Sequence, residues 1–140
     1  MIMDDVIKGL TDKWNKNASA NSEFINKIEN EFKRELPGDY LNFLRWSDGG
    51  EGRLKNGYLY LWKLEDLPQL NLDYGIQEFL LKDCIAIGTD GGDVCYGFDY
   101  SKGRSIFKSP LGDLDYNEIT YVGKTFLDFI KYLNNGNTDM

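Results

Sequence analysis

The chain has 140 residues and a mass of 16.1 kDa, the size of one domain, which excludes a multidomain machine. With 41% hydrophobic, 28% charged and 14% aromatic residues it has an ordinary globular composition with a heavy load of rings, which excludes disorder as the main state. The formal net charge is −7 and there is no His, so imidazole acid–base catalysis, Ser-His and Cys-His nucleophile pairs and imidazole metal ligation are all excluded.

In chain order, Ile2, Val6, Ile7, Leu10 and Trp14 fall on one side of a 3.6-residue period and predict a first helix over about residues 2–16. Ser22 is placed to cap a second helix, with Phe24, Ile25, Ile28, Phe32 and Leu36 as its apolar stripe and an end near Pro37. A short third helix follows, with Tyr40, Phe43 and Leu44 on one side, stopped by Gly49 and Gly50. From Gly57 the period changes to that of a strand, Tyr58 to Trp62, with one set of rings on each face. Residues 63–80 are broken by Pro68, Asn71 and Gly75 and predict a short helical turn and a connecting loop. Cys84 to Gly88 and Val94 to Asp99 read as an antiparallel hairpin joined by a glycine turn, and this pair is expected at the centre of the sheet. Two more strands are expected around Arg104–Lys108 and Glu118–Val122. A last helix carries Phe126, Phe129, Ile130 and Leu133, and the polar tail 134–140 is expected to fray. The reading is a single α+β domain spanning residues 1–140, an antiparallel, mainly meandering sheet of about five to six strands packed with about four helices.

The negative charge is uneven. Residues 1–70 carry 10 basic and 12 acidic groups and residues 71–140 carry 6 and 11; between Lys82 and Lys102 lie Asp83, Asp90, Asp93 and Asp99 with no cation among them. Such a face repels phosphate backbones and attracts basic proteins, so no nucleic-acid partner is expected. Cys84 and Cys95 are too few for a zinc site or a disulfide framework and sit in strand-like runs, as free core thiols of a cytoplasmic protein would. No apolar run reaches membrane-spanning length and Met1 to Asp5 lack the pattern of a signal peptide, so no membrane partner is expected either.

Two clusters, Asp48-Gly49-Gly50-Glu51 and Asp90-Gly91-Gly92-Asp93, place glycine beside carboxylates as calcium and phosphate loops do. Neither has the ligand spacing of an EF-hand or the Lys of a phosphate loop, and a helix stop and a hairpin turn demand the same residues. Carboxylate pairs such as Asp113 and Asp115 are what a solvated acidic surface presents. No catalytic, cofactor or metal site is assigned, and the chain is not expected to be an enzyme.

Five ordered blocks carry a family resemblance. The run Ile28-Glu29, Leu36-Pro37, Asp39-Tyr40, Phe43-Leu44 and Gly49-Gly50-Glu51-Gly52 resembles the signature of the SUKH superfamily, the cell-wall-assembly-regulator-like domains. Tyr60-Leu61-Trp62 with Leu64-Glu65-Asp66-Leu67, Ile87 to Gly92, Tyr96 to Asp99 and Val122 to Phe126 with Phe129 are similar to its later blocks, so that about residues 22–133 are covered. One departure is Ser47-Asp48 where many members have Asn before the glycines; Asp48 is expected to cap the helix all the same. The resemblance implies an α+β fold and an immunity protein that binds and neutralises a cognate bacterial toxin, often a nuclease. Fungal relatives imply an alternative, a non-catalytic regulatory or scaffold module of the kind that acts in cell-wall synthesis.

Charge and size favour a monomer steering onto a basic toxin. The expected partner-binding face combines the turn carrying Asp48 and Glu51, the rings Tyr58 and Trp62, and the hairpin carboxylates Asp90, Asp93 and Asp99.

Overall fold

The computed structural model describes residues 7–81 and 83–135. Seven strands lie side by side in chain order: β1 (Trp14–Asn15), β2 (Gly50–Leu54), β3 (Gly57–Leu61), β4 (Cys84–Thr89), β5 (Val94–Asp99), β6 (Ser105–Pro110) and β7 (Thr120–Gly123). Every neighbouring pair is antiparallel, so the sheet is the expected meander in an α+β domain, with seven strands instead of five to six. The β4–β5 hairpin stands at its centre as expected, buried at every position except Val94, while β2 and β3 alternate between covered and open positions. The two strands that periodicity missed are β1 and β2. Gly50 and Gly52 make β2 a poor strand former by propensity, yet a Cβ at Gly50 would collide with the Trp14 indole and one at Gly52 with the Lys13 carbonyl. The glycines are there to let β1 lie close.

That close approach also shortens the first helix. Within the expected 2–16, residues 7–10 are helical and residues 1–6 lie outside the described ones. The Lys13 amide then closes a turn on Leu10 O, and Trp14 pairs opposite Gly52 instead of extending the helix. Helix α1 (Ser22–Phe32) is capped by Asn21, not Ser22, whose side chain accepts from the Phe24 amide at 2.7 Å. It ends before Leu36, at Lys33 in the left-handed conformation. Helix α2 (Gly38–Trp46) stops at Ser47, whose backbone is extended, so Gly49 and Gly50, both with positive φ, turn the chain into β2 instead of closing the helix.

The segment expected as a turn and loop is mostly helical. A 3₁₀ turn at Leu64–Asp66 leads into α3 (Leu67–Tyr74) and α4 (Ile76–Phe79), with Pro68 in the first turn of α3, where its missing N–H costs nothing. Helix α5 (Phe126–Asn135) runs past the point expected to fray: Asn134 is buried and accepts from Lys13 Nζ at 3.1 Å, while residues 136–140 lie outside the described ones.

The core is a cluster of rings from α2, β5 and α5. Tyr40 lies 5.2 Å from Phe98 and 5.1 Å from Phe126, Phe43 lies 5.4 Å from Phe126 and 5.7 Å from Trp14, and Tyr96 lies 4.8 Å from Phe129, in the tilted and edge-on arrangements that rings prefer. The Tyr40 hydroxyl finds no hydrogen-bond partner among the described residues, and burial raises its pKa. Carboxylates tie the layers together: Glu29 accepts from the Leu36 amide, and Asp39 accepts from the Leu127 amide at the start of α5.

Strand β3 pairs with β4 only at Tyr60–Thr89 and Leu61–Gly88, the Trp62 amide donates once more to Ile87 O, and the backbone groups of Ala86 beyond have no strand beside them. The buried side chain of Asn71 takes that place. Its Nδ2 donates to Ala86 O and its Oδ1 accepts from Ala86 N, both at 2.9 Å, and Gln77 Nε2 donates to Cys84 O at 2.7 Å.

Two stability measurements check this packing. Phe43→Ala should lower the free energy of unfolding in urea by about 3–5 kcal/mol, as emptying a buried Phe site does, whereas Tyr40→Phe should cost less than about 1 kcal/mol because the hydroxyl it removes is unpaired. Asn71→Ala strands two buried backbone groups and should cost about 3 kcal/mol, more than its small volume loss predicts.

Candidate functional site

Strand alternation puts Leu59 and Leu61 into the core and turns Tyr58 and Tyr60 to the other face of the sheet; β2 does the same with Gly50, Gly52 and Leu54 inward and Glu51 and Arg53 outward. Register then places Glu51 opposite Tyr60 and Arg53 opposite Tyr58. Tyr60 is 45% exposed. Beside it a groove of about 330 Å³ opens between β1, the outer face of β2 and β3, and the 3₁₀ turn that follows, lined among others by Asn15, Glu51, Tyr60, Lys63, Glu65 and Asp66. Three carboxylates and one ammonium group give this lining a net negative charge.

Of the residues expected to bind a partner, four border this face. Glu51 lines the groove itself. Tyr58 stands next to it, half-buried, with the Arg53 guanidinium 5.7 Å from its ring centre; partial desolvation, then the charge of Glu51, raises its phenol pKa. The tip of the β4–β5 hairpin reaches the same ring, since a Cβ on Gly91 would come within 2.9 Å of Tyr58 Cδ2. Asp90 accepts from the Gly92 and Val94 amides at 2.9 and 3.2 Å, so its carboxylate shapes the turn that brings Gly91 there. Asp48 stands behind the groove. Its carboxylate does not cap α2 as expected but accepts from the Leu64 amide at 2.8 Å, fixing the turn that presents Glu65 and Asp66. Desolvation raises the Asp48 pKa; the Leu64 bond and Lys63 oppose that rise, and Glu65 and Asp66 add to it. Asp93 is exposed on the hairpin, and its backbone carbonyl accepts from the Leu111 amide at 2.6 Å.

Two of the expected residues are withdrawn from the surface. Trp62 continues the Tyr58–Tyr60 stripe, but the ring of Tyr74 from the end of α3 stacks over it at 5.9 Å and 10°, leaving it 6% exposed. The alternation that predicts an outward ring holds; a helix read as loop covers it. Asp99 is fully buried. It accepts from Ser101 N and Oγ at 3.0 and 2.6 Å and from the hydroxyls of Tyr116 and Tyr121, both at 2.8 Å. Burial alone raises its pKa, but these bonds outweigh it and hold the carboxyl below its ordinary value. Asp99 therefore latches the β6–β7 connection over the sheet and offers nothing to a partner. Tyr60, Glu65 and Asp66, which were not among the expected binding residues, line the groove instead; the pair of adjacent acids directly after a strand is the sequence signal that could have found them.

Cys84 and Cys95 are buried free thiols with pKa values pushed up to about 12, first by desolvation, so neither is a reactive thiolate. No group of three or more metal-ligating side chains occurs among the described residues, and no helix there is long and apolar enough to cross a membrane.

These features define an α+β protein built on one antiparallel meander, with an acidic, tyrosine-bearing face of β2 and β3 left open. The chain belongs to the SMI1 / KNR4 family (SUKH-1), whose family model matches residues 19–132. No curated protein matches it.

The buried latch predicts a pH signature. A carboxyl held below its ordinary value stabilises the fold above that value and loses the contribution as pH falls through its folded-state pKa, below about 4. Asp99→Asn should lower stability at pH 7 by about 1.5–3 kcal/mol, the range for a bond to a charged acceptor. The gap to wild type should close as denaturation is repeated at progressively lower pH.

Proposed function

We propose that this chain is an immunity protein that binds and neutralises a cognate bacterial toxin, a protein with a basic surface, without catalysis. The single observation that carries the reading is the open face of β2 and β3, where Tyr58 and Tyr60 stand among Glu51, Glu65 and Asp66 in a chain of net charge −7. Exposed aromatic rings are the anchors that binding hot spots use, and a surrounding field of one sign speeds encounter with a partner of the other. Membership in the SMI1 / KNR4 family agrees with immunity and with a regulatory role alike. The charge favours immunity, since a basic nuclease is a partner that an acidic domain must reach quickly. The protein acts in the cytoplasm, as a monomer and with no cofactor.

The test is protection. If a toxin gene adjoins the gene for this chain, co-expression should restore growth of cells making that toxin; unchanged killing, with both proteins present and folded, refutes the immunity reading and favours the regulatory one. The geometry further predicts a kinetic separation. Replacing the exposed Glu65, Asp66 and Asp93 by their amides should slow association and flatten its salt dependence between Debye lengths of about 10 and 3 Å, while Tyr60→Ala should act mainly on dissociation. Surface-plasmon measurements at several ionic strengths check both, and equal association rates for the amide variant would place the docking face elsewhere.

A further inference from the structure

We infer that the groove beside β3 is the seat for one arginine side chain of the partner protein, with the guanidinium lying on the Tyr60 ring between Glu51 and the Glu65–Asp66 pair. The inference rests on the immunity reading for the identity of the partner and on the following observations for the chemistry.

The outer face of β2 and β3 is open where the central strands are covered; β7 also exposes a ring, Tyr121, but its hydroxyl is committed to Asp99. Central strands β4 and β5 are buried along nearly their whole length, and Trp62, next in the same row of rings, is roofed by Tyr74. Tyr60 is left with 45% of its surface in water. The groove at its side measures about 330 Å³, at the small end of the range for binding pockets, which suits a single side chain and not a peptide or a nucleotide.

The charge of the lining selects a cation. Glu65 and Asp66 accept no hydrogen bond among the described residues, in contrast to Asp48 directly behind them, which is bonded to the Leu64 amide. The lining therefore holds acceptors not committed to the fold, next to a flat ring. A guanidinium uses both at once, since it stacks on aromatic faces and forks its N–H donors onto carboxylates, whereas an ammonium pairs with a carboxylate only as a hydrated point charge. The same pairing already exists within the chain one position along the strand, where Arg53 lies over Tyr58. Lys63 at the groove wall offsets one of the three carboxylates, so one added cation neutralises half of the remaining charge.

The probe is a short neutral peptide with one central arginine, titrated into the folded, ¹⁵N-labelled protein at low salt, with the same peptide carrying citrulline as the isosteric uncharged control. The expected result is a saturable shift of backbone amides confined to Glu51, Tyr60 and residues 63–66, weakened about tenfold or more when the peptide carries citrulline or the protein carries Glu51→Gln with Glu65→Gln, the loss of one charge-assisted hydrogen bond. Glu51 lies on the outer face of β2 and Glu65 is exposed in the 3₁₀ turn, and an unchanged spectrum away from the groove shows that the variant is folded. A lysine peptide should bind more weakly than the arginine peptide. Free arginine as an added arm distinguishes a small-molecule site: tighter binding of the amino acid than of the peptide overturns the protein-segment assignment. Equal shifts with citrulline, shifts elsewhere on the surface, or none overturn the inference. Its failure is separable from that of the immunity reading, because a chain that protects cells while ignoring the peptide keeps the function and loses only this seat, and a chain that binds the peptide without protecting loses only the function.

Discussion

Two-sided burial of the β4–β5 hairpin is the constraint from which the remaining architecture follows. A strand covered on both faces cannot alternate, and β4, with no exposed residue from Cys84 to Thr89, does not. On one face Tyr96 and Phe98 meet the rings of α2 and α5. On the other, Cys95 and Asp99 require a second cover, and the β6–β7 connection supplies it through Tyr116, held down by the Asp99 carboxylate. Beside β4, where β3 has ended, α3 and α4 close the gap with the Asn71 and Gln77 amides in place of a strand. Away from the centre, β2 and β3 keep an open face, and that is where Tyr60 and the uncommitted Glu65 and Asp66 stand; at the other edge β7 exposes Tyr121, whose hydroxyl is bonded to Asp99.

Legibility in the sequence followed the same division. The hairpin, the last helix and the α2 face could be read directly because their apolar residues recur at one clean period. Strands β1 and β2 could not, because Gly50 and Gly52 are selected for close approach to Trp14 and Lys13, a tertiary demand with no local period. The helices in 63–80 hid behind Pro68 and Gly75. Pro68 occupies the one helical position that tolerates it, and Gly75 is the left-handed junction between two helices instead of the start of a loop. The candidate site suffered from that second error. With 63–80 taken as a short turn and a loop, nothing predicted that Tyr74 would roof Trp62, so of the two rings chosen from the stripe, Tyr58 and Trp62, the second is covered, while Tyr60 was left out.

Asp99 shows why acidity in sequence is a poor guide to an acidic surface. It belongs to a hairpin rich in carboxylates, yet lies at a strand end facing the core side of a closing loop, where four hydrogen bonds make the charged form the stable one. Strand parity relative to Cys95 and Gly97 assigns it that face, but parity does not say that a loop twelve residues further on will cover it. The covering depends on Tyr116 and Tyr121, whose hydroxyls reach back across the sheet.

The carboxylates thus fall into two groups with different physical roles, and the distinction bears on what family membership conveys. Glu29, Asp39, Asp48 and Asp90 each accept from backbone amides at a helix end, a turn or a junction between layers. Three of them, Glu29, Asp39 and Asp48, lie in or beside the first block of the family pattern, and what they secure is the fold: the exit of α1, the start of α5 and the 3₁₀ turn. Replacing such a residue removes a partner from a backbone donor, so its constraint is structural whatever the protein binds. Glu65, Asp66 and Asp93 accept no such bonds among the described residues, and their charge is available to a partner at no cost to the scaffold. Substitutions on the β2–β3 face leave these carboxylate-to-backbone bonds intact, so the fold can hold its shape whatever that face carries, and on the immunity reading proposed above that is what matching one toxin among many requires.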